Sequence, residues 1–352
     1  MTTVTPVSVP APRKPWQPTR KDIAITISTI LLGIIAGYLA VEFSPLKGKL
    51  GFALAFIVVS SVLNTIVNVR KYGRKALSDS IATALIYTGA TIVILPVASI
   101  LAKTVVKGLP GLKPSIFTGT MKTASFLGPI NEGGLLHAIV GTLMMVIIAM
   151  IISVPMGIIT ALYLTEIKGK GSGVIQFIVQ AMSGVPSVVA GLFIFTAIIL
   201  TTPVEPSGFA GGLALAILMV PTVTRTAQEV LLLVPNDLRE AGLAMGATQW
   251  KTVSTIVVPA ARNGLITATI LGIARITGET APLIFTIGGA DKLNLNPFKD
   301  YQAALPLYVW KGLNLGSPES LQRAWTAIFV LLVFVLLLFT SARTLGTRKI
   351  KK

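Results

Sequence analysis

Cysteine is absent from the 352 residues of this chain, and histidine occurs once, at His137. The lack of cysteine excludes disulfide bonds, thiolate metal sites and a cysteine nucleophile. A single histidine argues against a histidine-based metal cluster or proton relay. Charged residues make up only 12% of the chain, which is about half of the fraction found in soluble domains. What remains is strongly apolar, with 53% hydrophobic residues and a mean hydropathy of +0.80.

Long runs that carry little or no charge hold most of these apolar residues. A run of about 20 apolar residues is long enough to cross a bilayer as a helix. In lipid, a spanning segment must satisfy its own backbone hydrogen bonds, which favours helices. We therefore expect an all-α, polytopic membrane protein with about eight transmembrane helices, at residues 23–41, 50–69, 80–102, 133–165, 171–204, 206–224, 263–290 and 324–342.

Composition divides the chain into four parts. Residues 1–22 are rich in proline and threonine and are expected to be a disordered cytoplasmic tail. Residues 23–132 hold three spans and a polar external segment. Residues 133–342 hold five spans and every motif described below, and residues 343–352 form a basic cytoplasmic tail.

The net charge of +17 would suggest nucleic acid as a partner of a soluble protein. Here the basic residues flank apolar spans, so membrane orientation explains them better, and we expect no nucleic-acid partner. Most of the 30 Lys and Arg residues face the cytoplasm if both termini and the polar loop at 240–259 are inside. Basic loops can also contact anionic lipid headgroups.

The loop at 240–259 reads EAGLAMGATQWKTVSTIVVP. Asp237 precedes Glu240 by three residues, the spacing of a capping box, which predicts a helix over about 238–245. Gly246 follows at the position of a left-handed helix cap.

A second short helix is predicted after this turn. Thr248 can cap its start, and Pro259 is expected to end it. A rigid helix–turn–helix that projects from a membrane protein is suited to docking into another protein.

The same residues resemble the coupling loop of ABC importer permeases, which insert it into a cleft of their ATPase subunit. Gly242 and Val258 stand where the family has Ala and Leu, and an ordinary cytoplasmic hairpin is the alternative interpretation. The resemblance implies that the ATPase is contacted by Glu240, Ala241, Gly246 and Pro259.

Two charges interrupt the last-but-one span, at Arg275 and Glu279. Their four-residue spacing predicts that one face of a helix carries both. Charges in mid-membrane usually line a cavity or pair with each other, so a structural ion pair is the alternative to a functional one. The planar fork of donors on an Arg guanidinium fits a tetrahedral oxyanion. The flanking residues on that face are small or not bulky, which leaves room for a cavity or a close neighbouring helix: Ala268, Gly272, Pro282 and Thr286.

The stretch Ala274–Leu283, ARITGETAPL, resembles the signature of the A-type permease subunit of phosphate ABC transporters. The resemblance covers about residues 133–342 and implies the ABC type I importer permease core. It also implies a location in the bacterial plasma (inner) membrane. It implies a substrate or translocation role for five residues: Arg275, Glu279, Thr280, Arg225 and Glu229.

The leading hypothesis is therefore the permease subunit of an ATP-driven phosphate importer. The chain has no G-x-x-x-x-G-K-[ST] loop, so we expect no cofactor in it, no enzymatic activity of its own, and a separate ATPase that binds ATP and Mg²⁺. The resemblance implies a C-type permease subunit, an ATPase dimer and an external phosphate-binding protein as partners. Alternatives are a permease for another oxyanion, such as sulfate, or a self-sufficient ion-coupled carrier.

Overall fold

A computed structural model describes residues 20–42, 49–74 and 76–347. Within these ranges the chain is helical, and the β-structure consists of one isolated bridge between Gly288 and Gln302. The α-helices are α1 Arg20–Glu42, α2 Lys49–Tyr72, α3 Ala76–Gly108, α4 Pro114–Thr118, α5 Leu136–Leu162, α6 Ser172–Ser183, α7 Ser187–Ile194, α8 Gly208–Leu232, α9 Asn236–Ala244, α10 Gln249–Thr252, α11 Val258–Thr277, α12 Ala281–Thr286, α13 Leu305–Leu315 and α14 Pro318–Thr347.

The prediction of an all-α, polytopic protein is confirmed. Seven helical stretches of the described chain are long and apolar enough to span a membrane, and an eighth span results if one bent pair is counted. This bent pair is α6 with α7, which meet at 104° where a single span at 171–204 is predicted. Pro186 causes the break, because proline cannot donate a helical hydrogen bond and its ring disfavours a helical residue before it.

The predicted tails are partly helical. Residues Arg20 to Asp22 belong to α1, although the sequence predicts disorder through residue 22. At the other end α14 continues to Thr347 and includes half of the predicted basic tail. Residues 1–19 and 348–352 of these tails lie outside the described residues.

By its internal contacts the chain divides between Ile100 and Leu101. In the first unit, α1 and α2 pack closely where a Cβ added at Gly37 would lie 3.2 Å from the backbone of Phe56. The division of the chain into four parts, with a boundary at 132/133, remains a prediction.

The second unit is built on α5 and α8. Its buried apolar residues form three large clusters along these helices. The first cluster lies at the start of α5 and includes Leu135 with Tyr308 of α13. The second lies at the middle of α5 and includes Met145 with Met219 of α8, and the third lies near the end of α5 and includes Ala161. A Cβ added at Gly157 would lie 2.8 Å from Val223, so the absence of a side chain at this position lets α5 and α8 approach closely.

The end of the unit near the start of α5 is held by Arg323 of α14. Its buried guanidinium donates to the carbonyl oxygens of Glu132 at 2.9 Å and Gly128 at 3.3 Å. The amide of Leu135 donates to the Ile116 carbonyl at 2.7 Å. α4 and the loop that follows it are thereby fixed at one end of α5.

Candidate functional site

The predicted helix–turn–helix lies between α8 and α11 and comprises α9, a turn, α10 and the π-helical residues Val253–Val257; we call it the α9–α10 segment. Gly246 in the turn has a φ of +78°, a left-handed conformation that glycine adopts without strain. The hydroxyl of Thr248 accepts a hydrogen bond from the Lys251 amide at 3.4 Å. The left-handed turn and the Thr248 cap are therefore confirmed.

Two details of this prediction are wrong. α9 starts at Asn236 with Pro235 as its N-cap residue and no side-chain cap, so Asp237 and Glu240 do not form a capping box. Pro259 does not end the second helix, because the chain continues through a π-helical turn into α11. The wider π turn shifts the hydrogen-bond register just before Pro259, which has no amide hydrogen to donate.

The outer surface of the α9–α10 segment is apolar as well as polar. Glu240 and Ala241 are exposed. Met245 is 88% exposed and Trp250 69% exposed, although both are large apolar side chains. Exposed apolar side chains rimmed by polar ones are typical of a surface that binds another protein.

Sequence reasoning missed the residues that hold this segment against α5. Arg239 in α9 donates from Nε and Nη2 to both carboxylate oxygens of Glu166, at 3.0 and 2.8 Å. Hydrogen bonding to Glu166 raises the pKa of Arg239 above its ordinary value. Glu166 directly follows the long uncharged run at 133–165. An acidic residue at the end of an apolar span is the sequence feature that could have pointed to this ion pair.

Arg275 and Glu279 do not share a helix, contrary to the prediction. α11 ends at Thr277, and Glu279 lies in the break before α12. Pro282 accounts for the break, because its ring clashes with the carbonyl group four residues earlier, that of Gly278. Among the described side chains, no ion pair joins Arg275 to Glu279 within 4.0 Å. Arg275 is exposed, whereas Glu279 and the N-cap residue of α12, Thr280, are partly buried.

The break follows the end of the candidate span Gln249–Thr277 and lies beside another spanning helix, α8. Gly272 of α11 packs against Met219 of α8, where an added Cβ would lie 2.9 Å from the Met219 methyl. Beyond the break, the Thr286 carbonyl accepts a hydrogen bond from the Ser207 amide at 3.0 Å, beside the first turn of α8. The residues between Gly272 and Thr286, including Arg275, therefore lie alongside the first half of the candidate span Gly208–Leu232.

The predicted flanking residues have a packing role. Ala268, Gly272, Pro282 and Thr286 are all buried. A Cβ added at Gly191 of α7 would lie 2.5 Å from the Pro282 Cα, so α7 and α12 are in backbone contact. Of the two predicted uses of these small residues, close approach of a neighbouring helix is the one observed.

The other two charged residues to which the resemblance assigns a role, Arg225 and Glu229, lie on α8. Between Gly208 and Leu231, all of which the structure describes, Arg225 and Glu229 are the exposed residues. Their four-residue spacing within a continuous helix places them on one face. The described residues contain no group of three or more His, Asp or Glu side chains that could hold a metal ion.

Comparison with protein families identifies the class of the chain. The family of the "Binding-protein-dependent transport system inner membrane component" matches residues 153–351, which include the α9–α10 segment and both charge pairs. The chain belongs to this family. It is thus a multi-pass inner-membrane component with the ABC type I importer permease core.

Similar members of this family have been named. The chain is 37% identical to the phosphate transport system permease protein PstA 1 of Mycobacterium tuberculosis over 266 residues, 74% of this chain and 86% of that protein. It is 37% identical to PstA of Mycobacterium leprae, over 78% of this chain and 92% of that protein. It is 34% identical to PstA of Haemophilus influenzae, over 78% of this chain and 96% of that protein.

Among solved structures, an inward-facing conformation of the MetNI methionine ABC transporter is similar at a TM-score of 0.47 and 18% identity. The similarity covers 60% of this chain and 93% of that chain.

Proposed function

We propose that the chain is a permease subunit of an ATP-driven importer that moves inorganic phosphate into the cell. The observation that carries this proposal is the exposed Arg275 in the last turn of the candidate span Gln249–Thr277, just before a helix break, in a chain whose relatives are named phosphate transport permeases. A planar guanidinium can donate two parallel hydrogen bonds to a phosphate oxyanion. Thr280 adds a hydroxyl at the same break, and Glu279 lies beside it.

The α9–α10 segment supports energy coupling to a separate ATPase. Glu240, Ala241, Gly246 and Pro259 match the family pattern, and the exposed Met245 and Trp250 supply apolar contact area. The chain itself carries no P-loop sequence, so ATP and Mg²⁺ are bound by the partner ATPase dimer and the permease is not itself an enzyme.

The remaining partners follow from the same proposal. An external phosphate-binding protein delivers the anion, and a C-type permease subunit covers the faces that expose Arg275, Arg225 and Glu229. Both termini and the α9–α10 segment face the cytoplasm, in agreement with the distribution of Lys and Arg. Membrane lipid surrounds the spans.

Uptake of labelled phosphate into proteoliposomes tests the proposal. Vesicles carry this chain with its C-type partner and ATPase, ATP inside, and phosphate-binding protein outside. We expect uptake that requires both ATP and the binding protein, and that an equal concentration of sulfate does not inhibit. ATP-independent uptake by this chain alone would indicate an ion-coupled carrier, and ATP-driven sulfate uptake would indicate a permease for another oxyanion.

A further inference from the structure

The guanidinium of Arg239 connects the α9–α10 segment to a helix that is distant in sequence. Glu166, its partner, lies in the π-helical residues Tyr163–Ile167 that extend α5. The Glu166 side chain is only 5% exposed, so this is a largely desolvated, two-pronged ion pair. Charge-assisted bidentate pairs of this kind are stronger and more directional than single neutral hydrogen bonds.

Arg239 also closes the joint between α8 and α9. Its Nη2 donates to the Leu231 carbonyl at 2.8 Å, and its Nη1 donates to the Val234 carbonyl and to Asn236 Oδ1. With the two bonds to Glu166, each of the five N–H groups of the guanidinium has an acceptor. One side chain therefore caps the end of α8 and binds α5 at the same time.

α5 is the helix that needs such a connection. The α9–α10 segment continues directly from α8 and leads directly into α11, but its connection to α5 is not covalent. A second contact reinforces the first, because Gln249 Nε2 of α10 donates to the Glu166 carbonyl at 2.6 Å. From Glu166 the candidate span reaches back to Leu136, and Gly157 within it packs against Val223 of α8.

We propose that the Arg239–Glu166 pair is the link through which movement of the α9–α10 segment is transmitted to α5. Both are positioning residues, and neither touches the transported anion. When the ATPase displaces α9, Arg239 draws the end of α5 with it, so that α5 moves together with α8 and α11. This inference rests on the proposed function, because it assumes an ATPase that moves the segment.

Glu166→Gln weakens the contact of Arg239 with α5 but leaves the hydrogen bonds by which Arg239 caps the end of α8. Gln keeps the size of Glu166 but removes its charge and one acceptor, while Arg239 keeps its three acceptors at the joint of α8 and α9. We expect the complex to assemble and hydrolyse ATP, but to transport phosphate with a ratio per ATP that falls on the order of fivefold or more. The neutral control is Asp300→Asn, which removes a carboxylate from the exposed ion pair of Asp300 with Lys292.

Movement of α5 can be followed directly because the chain contains no cysteine. A fluorophore on Ile159→Cys, an exposed position of α5, should respond to ATP in the otherwise unchanged complex. In the Glu166→Gln background the response should become clearly smaller although ATP still binds, because the main-chain contact with Gln249 remains. If Glu166→Gln does not assemble, Glu166→Asp provides the same test, because it keeps the charge but is too short for the two-pronged geometry.

Three outcomes are distinguishable. A complex without ATP-dependent phosphate uptake before any substitution contradicts the proposed function itself. Normal uptake in that complex, with an unchanged phosphate-to-ATP ratio and an unchanged Ile159→Cys signal in the Glu166 variants, overturns the link and leaves the proposed function in place. A lowered ratio together with a reduced signal, in Glu166→Gln but not in Asp300→Asn, supports the link.

Discussion

Arg275 is a charged side chain that the rest of its own chain leaves exposed. At mid-membrane an arginine costs at least about 2.5–3.5 kcal/mol when it faces lipid. α11 ends two residues later, and the described side chains offer Arg275 no ion pair with Glu279. We therefore expect Arg275 to face water or a partner subunit rather than lipid.

Arg275→Lys should lower phosphate uptake strongly while the complex still assembles. Lysine keeps the charge but loses the planar fork, and hydrogen bonds to a charged group are worth about 1.5–3 kcal/mol, which corresponds to roughly tenfold or more in rate. The measurement is uptake of labelled phosphate per assembled complex. Arg74→Lys makes the same exchange in the exposed turn before α3 and should leave uptake unchanged.

The double variant Arg275→Gln/Glu279→Gln decides between a site and a structural pair. Because the two side chains are not ion-paired in the described structure, their joint removal should leave assembly intact and abolish uptake. Uptake close to the unsubstituted level in this variant would mean that neither charge contacts the anion.

The turn of the α9–α10 segment depends on one backbone conformation. Gly246 has a φ of +78°, and an added Cβ would meet no atom within 4 Å. Gly246→Val should therefore act through backbone strain alone, on the order of 1–2 kcal/mol, and ATP hydrolysis should become uncoupled from phosphate uptake. Asn tolerates the left-handed conformation, so Gly246→Asn is the control and should stay coupled. Equal coupling in both variants would show that this turn geometry is unimportant.

The packing of α9 on α10 depends on Gly242. A Cβ there would lie 2.7 Å from Thr252 Cγ2 and 2.8 Å from Ile256 Cδ1. Gly242→Ala should lower the thermal stability of the complex, because overpacking by about 1–3 kcal/mol exceeds a gain in helix propensity of about 1 kcal/mol.

Two further variants test this prediction. Gly173→Ala in α6 gains the same propensity with no atom within 4 Å, and its stability should not fall. Gly242→Ala/Thr252→Ser removes the methyl group that causes the closest contact but leaves Ile256 in place, so it should recover part of the loss. A Gly242→Ala complex as stable as the unsubstituted one would contradict the tight packing of these helices.

At the scale of the whole molecule, α5 with its extension separates two ends of the second unit. The span Leu136–Ile167 contains 32 residues, which is roughly 48 Å at the helical rise and enough to cross a bilayer with its headgroups. Ser115 lies in the short α4, beside the start of α5, whereas Thr248 lies in the segment bonded to Glu166 at the other end.

Single cysteines in this cysteine-free chain should report these two sides by labelling. Thr248→Cys and Ser78→Cys should react with a membrane-impermeant maleimide only from the cytoplasmic side. Ser115→Cys and Ser317→Cys should react only from outside. Labelling of Thr248→Cys from outside would place the α9–α10 segment beyond the reach of a cytoplasmic ATPase.

The sequence alone determined the class, most spans and the presence of the helix–turn–helix. Apolar runs of sufficient length can only become spanning helices or buried helices, since lipid leaves no partner for a free backbone group. Gly246 was likewise assigned correctly, because a residue without a side chain is the usual solution for a left-handed turn.

Only the tertiary structure decided which helix ends are continuous and which charges meet. Pro259 and Pro282 are the same residue type, yet the chain passes Pro259 through a π turn and breaks before Pro282, where α7 packs against the backbone of α12. Arg239 and Glu166 are 73 residues apart, and no local pattern brings them together. Helix periodicity relates a residue to its neighbours within a turn, whereas a contact between distant helices depends on how their faces pack.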